Sequence, residues 1–472
     1  MSTLLRKNGA YNIEECFAPF AKKMRAEKLP ELVIETFHHY YSQLVHGETG
    51  FISNAEAEPI DTLQDAESLA EEYKQIGCAA LHKTVLLKLN GGLGTSMGMA
   101  GPKSLLPVKD GRTFLDIIIQ QVLYLRNQHQ SHLPLVLMNS FNTDEATTKA
   151  LTDYPELKQD IPFSFIQHKI PKIDVETLMP AQCLEDPEKE WCPPGHGDIY
   201  AALITSGLLQ RLRASGYEYV FVSNADNLGA SLDLSILGYF ANKQCSFLME
   251  VADRTMADSK GGHLACRPDG SLLLREVAQC PPEELESFQD IDRYKFFNTN
   301  NLWIHLPTLE RIAQEQKGIL DLPLIRNEKP VDPTNPSSPR VYQLETAMGS
   351  AIGVIPGAEA IRVPRMRFAP VKKNQDLLIL MSDAFRLKND FSIEQAITSL
   401  PTVELDSRYY NLIQDLKMRF PYGAPSLRRC QELRIQGDVR FGADVSLVGK
   451  VDLVNATECP LTVADGTVVR GN

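Results

Sequence analysis

The strongest constraint on this chain is one run of residues near position 90. Thr84-Val-Leu-Leu-Lys-Leu89 reads as a strand, and it passes directly into Asn90-Gly-Gly-Leu-Gly-Thr-Ser-Met-Gly98. Glycines at 91, 92, 94, 98 and 101 precede Pro102-Lys103. Glycine backbone can approach a polyphosphate closely and turn its N–H groups inward as an anion nest. Beyond the loop, Thr113 to Asn127 reads as a buried helix, with Thr113 as N-cap and Asp116 in the capping-box position.

Spacing excludes two familiar phosphate loops. A dinucleotide fingerprint begun at Gly92 and Gly94 meets Met97 where its third glycine belongs. A Walker A loop ending at Lys103-Ser104 needs glycine at 97 and 102 and finds Met97 and Pro102. What fits is a nucleotidyltransferase loop, in which a glycine run ends in Pro-Lys and the lysine meets phosphates.

Further strands are predicted at Leu133–Met138, Phe163–Gln167, Tyr217–Ser223, Cys245–Val251, Phe296–Ile304 and Ile361–Phe368, with helices such as Ile199–Arg213 and Leu234–Asn242 between them. That alternation implies an α/β domain with a largely parallel sheet, which binds its ligands at the carboxyl ends of the strands. His263–Arg267 and Ser271–Val277 read as a hairpin that makes the sheet mixed. Residues 11–80 read as helices, with Ala21–Leu29 and Leu32–Leu44 separated by Pro30. After Pro425 the texture changes to short apolar pairs between Gly and Asp, as in a β-helix or similar solenoid cap. The expected division is a helical segment over 1–80, a catalytic core over 81–385, a helical linker over 386–425 and a β-helix over 426–472.

The 472 residues, 43% of them hydrophobic, can bury a large core. A net charge of −12 argues against nucleic acid, because binding its backbone needs a broad excess of Lys and Arg. No stretch approaches the roughly 18 apolar residues of a membrane span, and MSTLLRKNGAYNIEE lacks the apolar block of a secretory signal. A cytoplasmic protein with no membrane partner is expected. Nine cysteines without a CxxC pair read as reduced structural thiols.

Eight blocks occur in order: LNGGLGTSMG at 89–98, GPKS at 101–104, WCPPGHGD at 191–198, SNADNLGA at 223–230, DSKGG at 258–262, FNTNNLW at 297–303, QLETAMGSAI at 343–352 and RFAPVKKNQDLL at 367–378. In these the chain closely resembles the UTP–glucose-1-phosphate uridylyltransferases of the eukaryotic type, also called UDP-glucose pyrophosphorylases. The resemblance runs from about residue 80 to the C-terminus. It implies a GT-A-like, Rossmann-related core with a C-terminal β-helix, and transfer of the uridylyl group of UTP to glucose 1-phosphate, giving UDP-glucose and pyrophosphate with the help of Mg²⁺. It also leaves room for a homo-oligomer formed through the β-helix. The alternatives are a related UDP-sugar or UDP-N-acetylglucosamine pyrophosphorylase, and a catalytically silent UDP-sugar-binding or scaffold protein.

The resemblance implies roles residue by residue. Gln167, whose amide offers one acceptor and one donor to a uracil edge, reads the base together with the backbone at Leu89, Gly91 and Gly92. Gly197 belongs with the nucleotide, and His196 lies beside the sugar phosphate. Asp226 is the metal candidate and also a nucleotide contact, since Mg²⁺ usually takes one or two carboxylates and completes its shell with phosphates and water. Lys103 and Lys372 are the two phosphate lysines assigned to catalysis, and Lys373 is a solvated neighbour. Lys260 with Gly261 and Gly262, the asparagines Asn298, Asn300 and Asn301, and Glu345 are expected around the glucose and its phosphate. Three positions depart from the usual pattern: Ala100 and Arg254 each stand where a lysine is frequent, and His263 where threonine is usual.

Overall fold

The computed structural model describes residues 6, 7 and 10–471. The chain packs as two compact units, each assembled from three stretches. The first comprises residues up to Leu87, Phe165–Val222 and Asp233–Pro364; the second comprises Lys88–Ser164, Ser223–Leu232 and the chain from Arg365 onward. No helix among the described residues is long and apolar enough to cross a membrane.

In the first unit the helices Ile13–Ala26 and Glu31–Val45 form on either side of Pro30, as the apolar spacing predicts. Their buried faces carry Phe17, Phe20, Phe37 and Tyr41, which share a core with Ile170, Ile173, Cys192 and Leu344. Each such side chain contributes up to about 1.5–3 kcal/mol of burial energy, so this core anchors the segment that leads into Gly195–Asp198. The strand order is Gln64–Asp65, Ala358–Arg362, Phe247–Asp253 and Phe296–His305, followed by residues 219–222 and 84–87. Phe247–Asp253 runs parallel to Ala358–Arg362 and antiparallel to Phe296–His305, so the sheet is mixed. The hairpin forms from His263–Cys266 and Leu272–Arg275, and joins the long strand where His263 faces Phe297. Helices Glu71–Ala80 and Leu234–Lys243 cross very closely: a Cβ at Gly77 would sit 1.8 Å from the Leu234 carbonyl oxygen, and one at Gly238 1.7 Å from that of Tyr73.

In the second unit residues 88–90 complete the strand Thr84–Asn90 beside the wholly buried Leu135–Asn139 and deliver the chain into the glycine loop. Helix Phe114–His129 starts with the expected capping box: Thr113 Oγ1 accepts from the Asp116 N–H at 3.1 Å and Asp116 Oδ2 from the Thr113 N–H at 2.8 Å. Such a cap stabilises the helix by about 1 kcal/mol. From residue 402 onward the chain forms parallel strands in the order Thr402–Leu405, Ser426–Gln436, Ser446–Val454 and Val468–Arg470, with Val439–Phe441 parallel to Leu461–Val463 beside them.

Four elements differ from the sequence expectation: first, residues 47–70 of the expected helical segment are not α-helical and supply the strand Gln64–Asp65. The single helix over 199–213 is two, Ile199–Thr205 and Leu208–Ala214, because Gly207 turns left-handed at φ +71. The strand predicted over 361–368 stops at Arg362, and Arg365–Arg367 is a 3-10 turn; Pro364, between them, has no N–H to offer a sheet. Residues 386–425 are not simply helical. They hold the hairpin Phe385–Leu387 with Ile393–Gln395, closed where Asp390 accepts from Ser392, then Thr402–Leu405 and the short helices Ser407–Tyr410 and Ile413–Arg419.

Candidate active site

The second unit holds the first set of expected site residues. Asn90 ends its strand with its amide buried against Asn139 Oδ1 at 2.7 Å and Thr147 Oγ1 at 3.0 Å. The glycine loop that follows folds back on itself, with the Ser140 hydroxyl donating to the Gly91 carbonyl and the Lys103 N–H to the Gly92 carbonyl. Leu89 accepts from the Ala225 N–H at 3.0 Å, which ties the loop to the turn bearing Asp226. The Lys103 ammonium, largely buried, donates to Asp226 Oδ2 at 2.7 Å and to the Val371 carbonyl. Lys372 follows directly, and its N–H and that of Lys373 both donate at 2.8 Å to Asp376, at the start of helix Asn374–Met381. Lys103, Asp226 and the 371–372 backbone, remote in sequence, are thus one cluster.

The first unit holds a second set. The Gln167 amide donates to the Gly195 carbonyl at 2.9 Å, leaving its oxygen and one N–H for a ligand. The Gly197 N–H donates to the Thr346 carbonyl at 2.8 Å and the Thr346 N–H to that of Pro194 at 3.0 Å. Gly195 and Gly197 allow this crossing: a Cβ at Gly195 would lie 2.4 Å from the Thr346 carbonyl oxygen, and one at Gly197 2.3 Å from Thr346 Oγ1. His196 Nδ1 accepts from the Met348 N–H at 2.9 Å. Burial pulls its imidazole down to about 4, so the ring is neutral at pH 7. With Nδ1 occupied as acceptor, Nε2 carries the proton and is a neutral donor. Asp198 steadies the neighbourhood by accepting from the His168 N–H at 2.8 Å. Glu345 lies at the end of strand Arg340–Glu345, half-buried and 3.8 Å from Lys329.

A third group gathers around Gly262 in the same unit. Lys260 is exposed on the turn after Met256–Asp258, and the Gly262 carbonyl accepts from the Asn298 N–H at 3.0 Å. Asn298 donates to Asn300 Oδ1 at 2.9 Å, and Asn300 takes φ +59, a left-handed conformation that asparagine tolerates. Asn301 turns away from this group and, with Trp303, satisfies the buried Glu250 carboxylate, at 3.0 Å each.

The sequence expectation omitted Glu276. Its carboxylate faces Gly262, where an added Cβ would meet its oxygens at 2.5 and 2.6 Å, and burial raises it to about 7. An acid just past the strand Leu272–Arg275 was the available signal, but only the hairpin pairing carries it to the Lys260 turn.

Among the described residues no group of three or more His, Cys, Asp or Glu side chains is arranged to hold a metal. Asp226 offers one carboxylate, paired with Lys103. That donor set fits only a cation that draws most of its ligands from phosphates and water, as Mg²⁺ does.

Taken separately, the second unit offers glycine backbone beside a lysine-paired carboxylate, and the first offers neutral donors and acceptors with the exposed Lys260. Comparison with known proteins identifies the family of the whole chain. A probable UTP–glucose-1-phosphate uridylyltransferase of Schizosaccharomyces pombe is 40% identical over 414 residues, covering 87% of this chain and 79% of that one. The enzyme of Solanum tuberosum with that description is 40% identical over 416 residues, 87% of this chain and 84% of that one. A crystal structure of a Leishmania major UDP-glucose pyrophosphorylase mutant in complex with UDP-glucose is 46% identical, with TM-score 0.88 over 97% of this chain and 98% of that one. The family model described as UTP–glucose-1-phosphate uridylyltransferase matches residues 34–448, and the chain belongs to that family.

Proposed function

We propose that the chain transfers the uridylyl group of UTP to glucose 1-phosphate, forming UDP-glucose and releasing pyrophosphate. The observation that carries this reading is the Lys103–Asp226–Val371 cluster at the end of the glycine loop. A phosphate oxygen of glucose 1-phosphate attacks the α-phosphorus of UTP in line, and the bond to the bridging oxygen of pyrophosphate breaks. The attacking oxygen is already ionised at neutral pH, so no general base is needed. Catalysis then rests on positioning two polyanions and stabilising charge as it shifts to the leaving group.

In this reading the Gln167 oxygen accepts from uracil N3–H and its free N–H meets a ring carbonyl, with the backbone of Leu89, Gly91, Gly92 and Gly197 around the nucleotide. Lys103 and Lys372 meet the phosphates. His196 donates to the sugar phosphate through Nε2 without adding charge. Lys260, Asn298, Asn300, Glu345 and Glu276 hold the glucose and its phosphate. Asp226 would hold Mg²⁺, which when bound neutralises phosphate charge and lowers repulsion between the two anions. Before ligands arrive, Lys103 compensates that carboxylate.

We further infer that the core is GT-A-like and that the parallel strands after residue 426 are turns of a β-helix. Stacked parallel strands with Leu427, Cys430, Leu433 and Ile435 buried support the second point. A cytoplasmic location and a homo-oligomer made through that β-helix complete the proposal. Pyrophosphate release measured with UTP, CTP and ATP against glucose 1-phosphate, galactose 1-phosphate and N-acetylglucosamine 1-phosphate tests the substrate assignment. UTP with glucose 1-phosphate should give the highest kcat/KM, and a clear preference for another pair would overturn it.

A further inference from the structure

Arg254 follows the strand Phe247–Asp253 and is 7% exposed, yet among the described residues its guanidinium donates to backbone carbonyls alone. Nη1 donates to Phe288 at 3.1 Å and Tyr294 at 3.2 Å, and Nη2 to Asp258 at 3.3 Å and Ser259 at 2.8 Å. One side chain thereby joins two loops. The Asp258 carbonyl also accepts from the Gly261 N–H at 2.8 Å, so the guanidinium closes the turn that presents Lys260. Through Gly262 the same turn is bonded to Asn298.

His263, the next residue, supports the other side of this joint. It is fully buried and stacks on Tyr294 with ring centroids 4.0 Å apart and 19° between planes. Tyr294 is itself fixed by its hydroxyl, which donates to the Ala57 carbonyl at 2.9 Å. The two departures from the family pattern in this region, at 254 and 263, therefore meet at one tyrosine.

We propose that Arg254 is a positioning residue for the sugar-phosphate site, setting the place of Lys260 and Gly262 by bonding the 258–259 turn to the 288–294 loop, with His263 packed against Tyr294 as its complement. A planar guanidinium spreads its donors over carbonyls on two segments. A lysine at 254 has one nitrogen and cannot reach all of them.

This rests on the reading that Lys260 and Asn298 face the sugar phosphate. The test is steady-state kinetics on full-length Arg254→Met and Arg254→Lys, with KM measured separately for UTP and glucose 1-phosphate. Arg254→Met should raise KM for glucose 1-phosphate by roughly tenfold while KM for UTP and kcat move less than about threefold, and Arg254→Lys should recover part of the loss. Equal rises in both KM values, or a lowered melting temperature with unchanged KM, would overturn the proposal. Should Arg254→Met fail to fold, Arg254→Lys alone carries the test, and an unchanged KM for glucose 1-phosphate there is equally fatal. Wild-type protein that does not turn over glucose 1-phosphate would instead refute the proposed function itself.

Discussion

Replacing Asp226 by Asn removes the charge that faces the Lys103 ammonium and keeps the shape. The two side chains are 25% and 16% exposed, respectively, and 2.7 Å apart, so the pair is neither a surface bridge nor a fully buried one. Exposed pairs contribute about 0.2–1 kcal/mol, whereas breaking a buried pair costs about 3–5 kcal/mol. A loss of about 2 kcal/mol is the expectation for a charge-assisted bond at this depth, a factor of about 30 in whatever depends on the lysine being held. Asp226→Asn should therefore lower kcat by at least about 30-fold and raise the Mg²⁺ concentration at half-maximal rate. The assay is pyrophosphate release at saturating UTP and glucose 1-phosphate across a magnesium titration, with melting curves as a folding control. Because both residues act in one cluster, Lys103→Met combined with Asp226→Asn should be little worse than the poorer single variant. Wild-type kcat in folded Asp226→Asn, or losses that add in the double variant, would show that the two side chains do not act together in catalysis.

Gln167→Ala should narrow the kcat/KM preference for UTP over CTP by removing the group that reads the uracil edge; an unchanged ratio on steady-state assay counts against it. Glu276→Gln should raise KM for glucose 1-phosphate and alter the pH dependence of stability. Burial places the folded carboxyl near 7, above its unfolded value, so its contribution is complete below about pH 4.5 and is lost as pH rises through 7. Melting temperatures from pH 4.5 to 8 should fall less steeply in the variant. For His196 the sign is reversed: with a folded value near 4, its contribution is complete above pH 6.5 and fades as pH falls toward 4, a slope that His196→Gln should flatten. Removal of residues 456–472 should change elution on size exclusion while UTP binding by calorimetry persists, and the converse would exclude an assembly role.

Elements with strong local signals were legible before the structure. The strand Thr84–Asn90 and the Thr113–Asp116 capping box depend on neighbouring residues alone. The break at Gly207 was hidden because apolar spacing continues from Ile199 through Leu212 across the turn. Pro364 did announce the end of its strand, but the alternation of apolar residues with arginines from Ile361 to Phe368 mimics a strand that continues. Motifs single out Lys103 and Asp226 as candidates, but no motif shows that the two pair. Lys103 and Asp226 stand 123 positions apart, so their ion pair exists only once the glycine loop and the turn after Tyr219–Asn224 are brought together. Arg254 was visible only as a departure, because its acceptors are backbone carbonyls that no residue type advertises.

Displacement at the α-phosphorus of UTP by glucose 1-phosphate underlies every role assigned above, and isotope tracing tests it most directly. Purified protein with Mg²⁺ and glucose 1-phosphate is given UTP labelled either at the α- or at the γ-phosphorus. The α label should appear in UDP-glucose and the γ label in pyrophosphate, in equal amounts. Label from the γ position in a sugar product, or release of inorganic phosphate in place of pyrophosphate, would contradict the displacement.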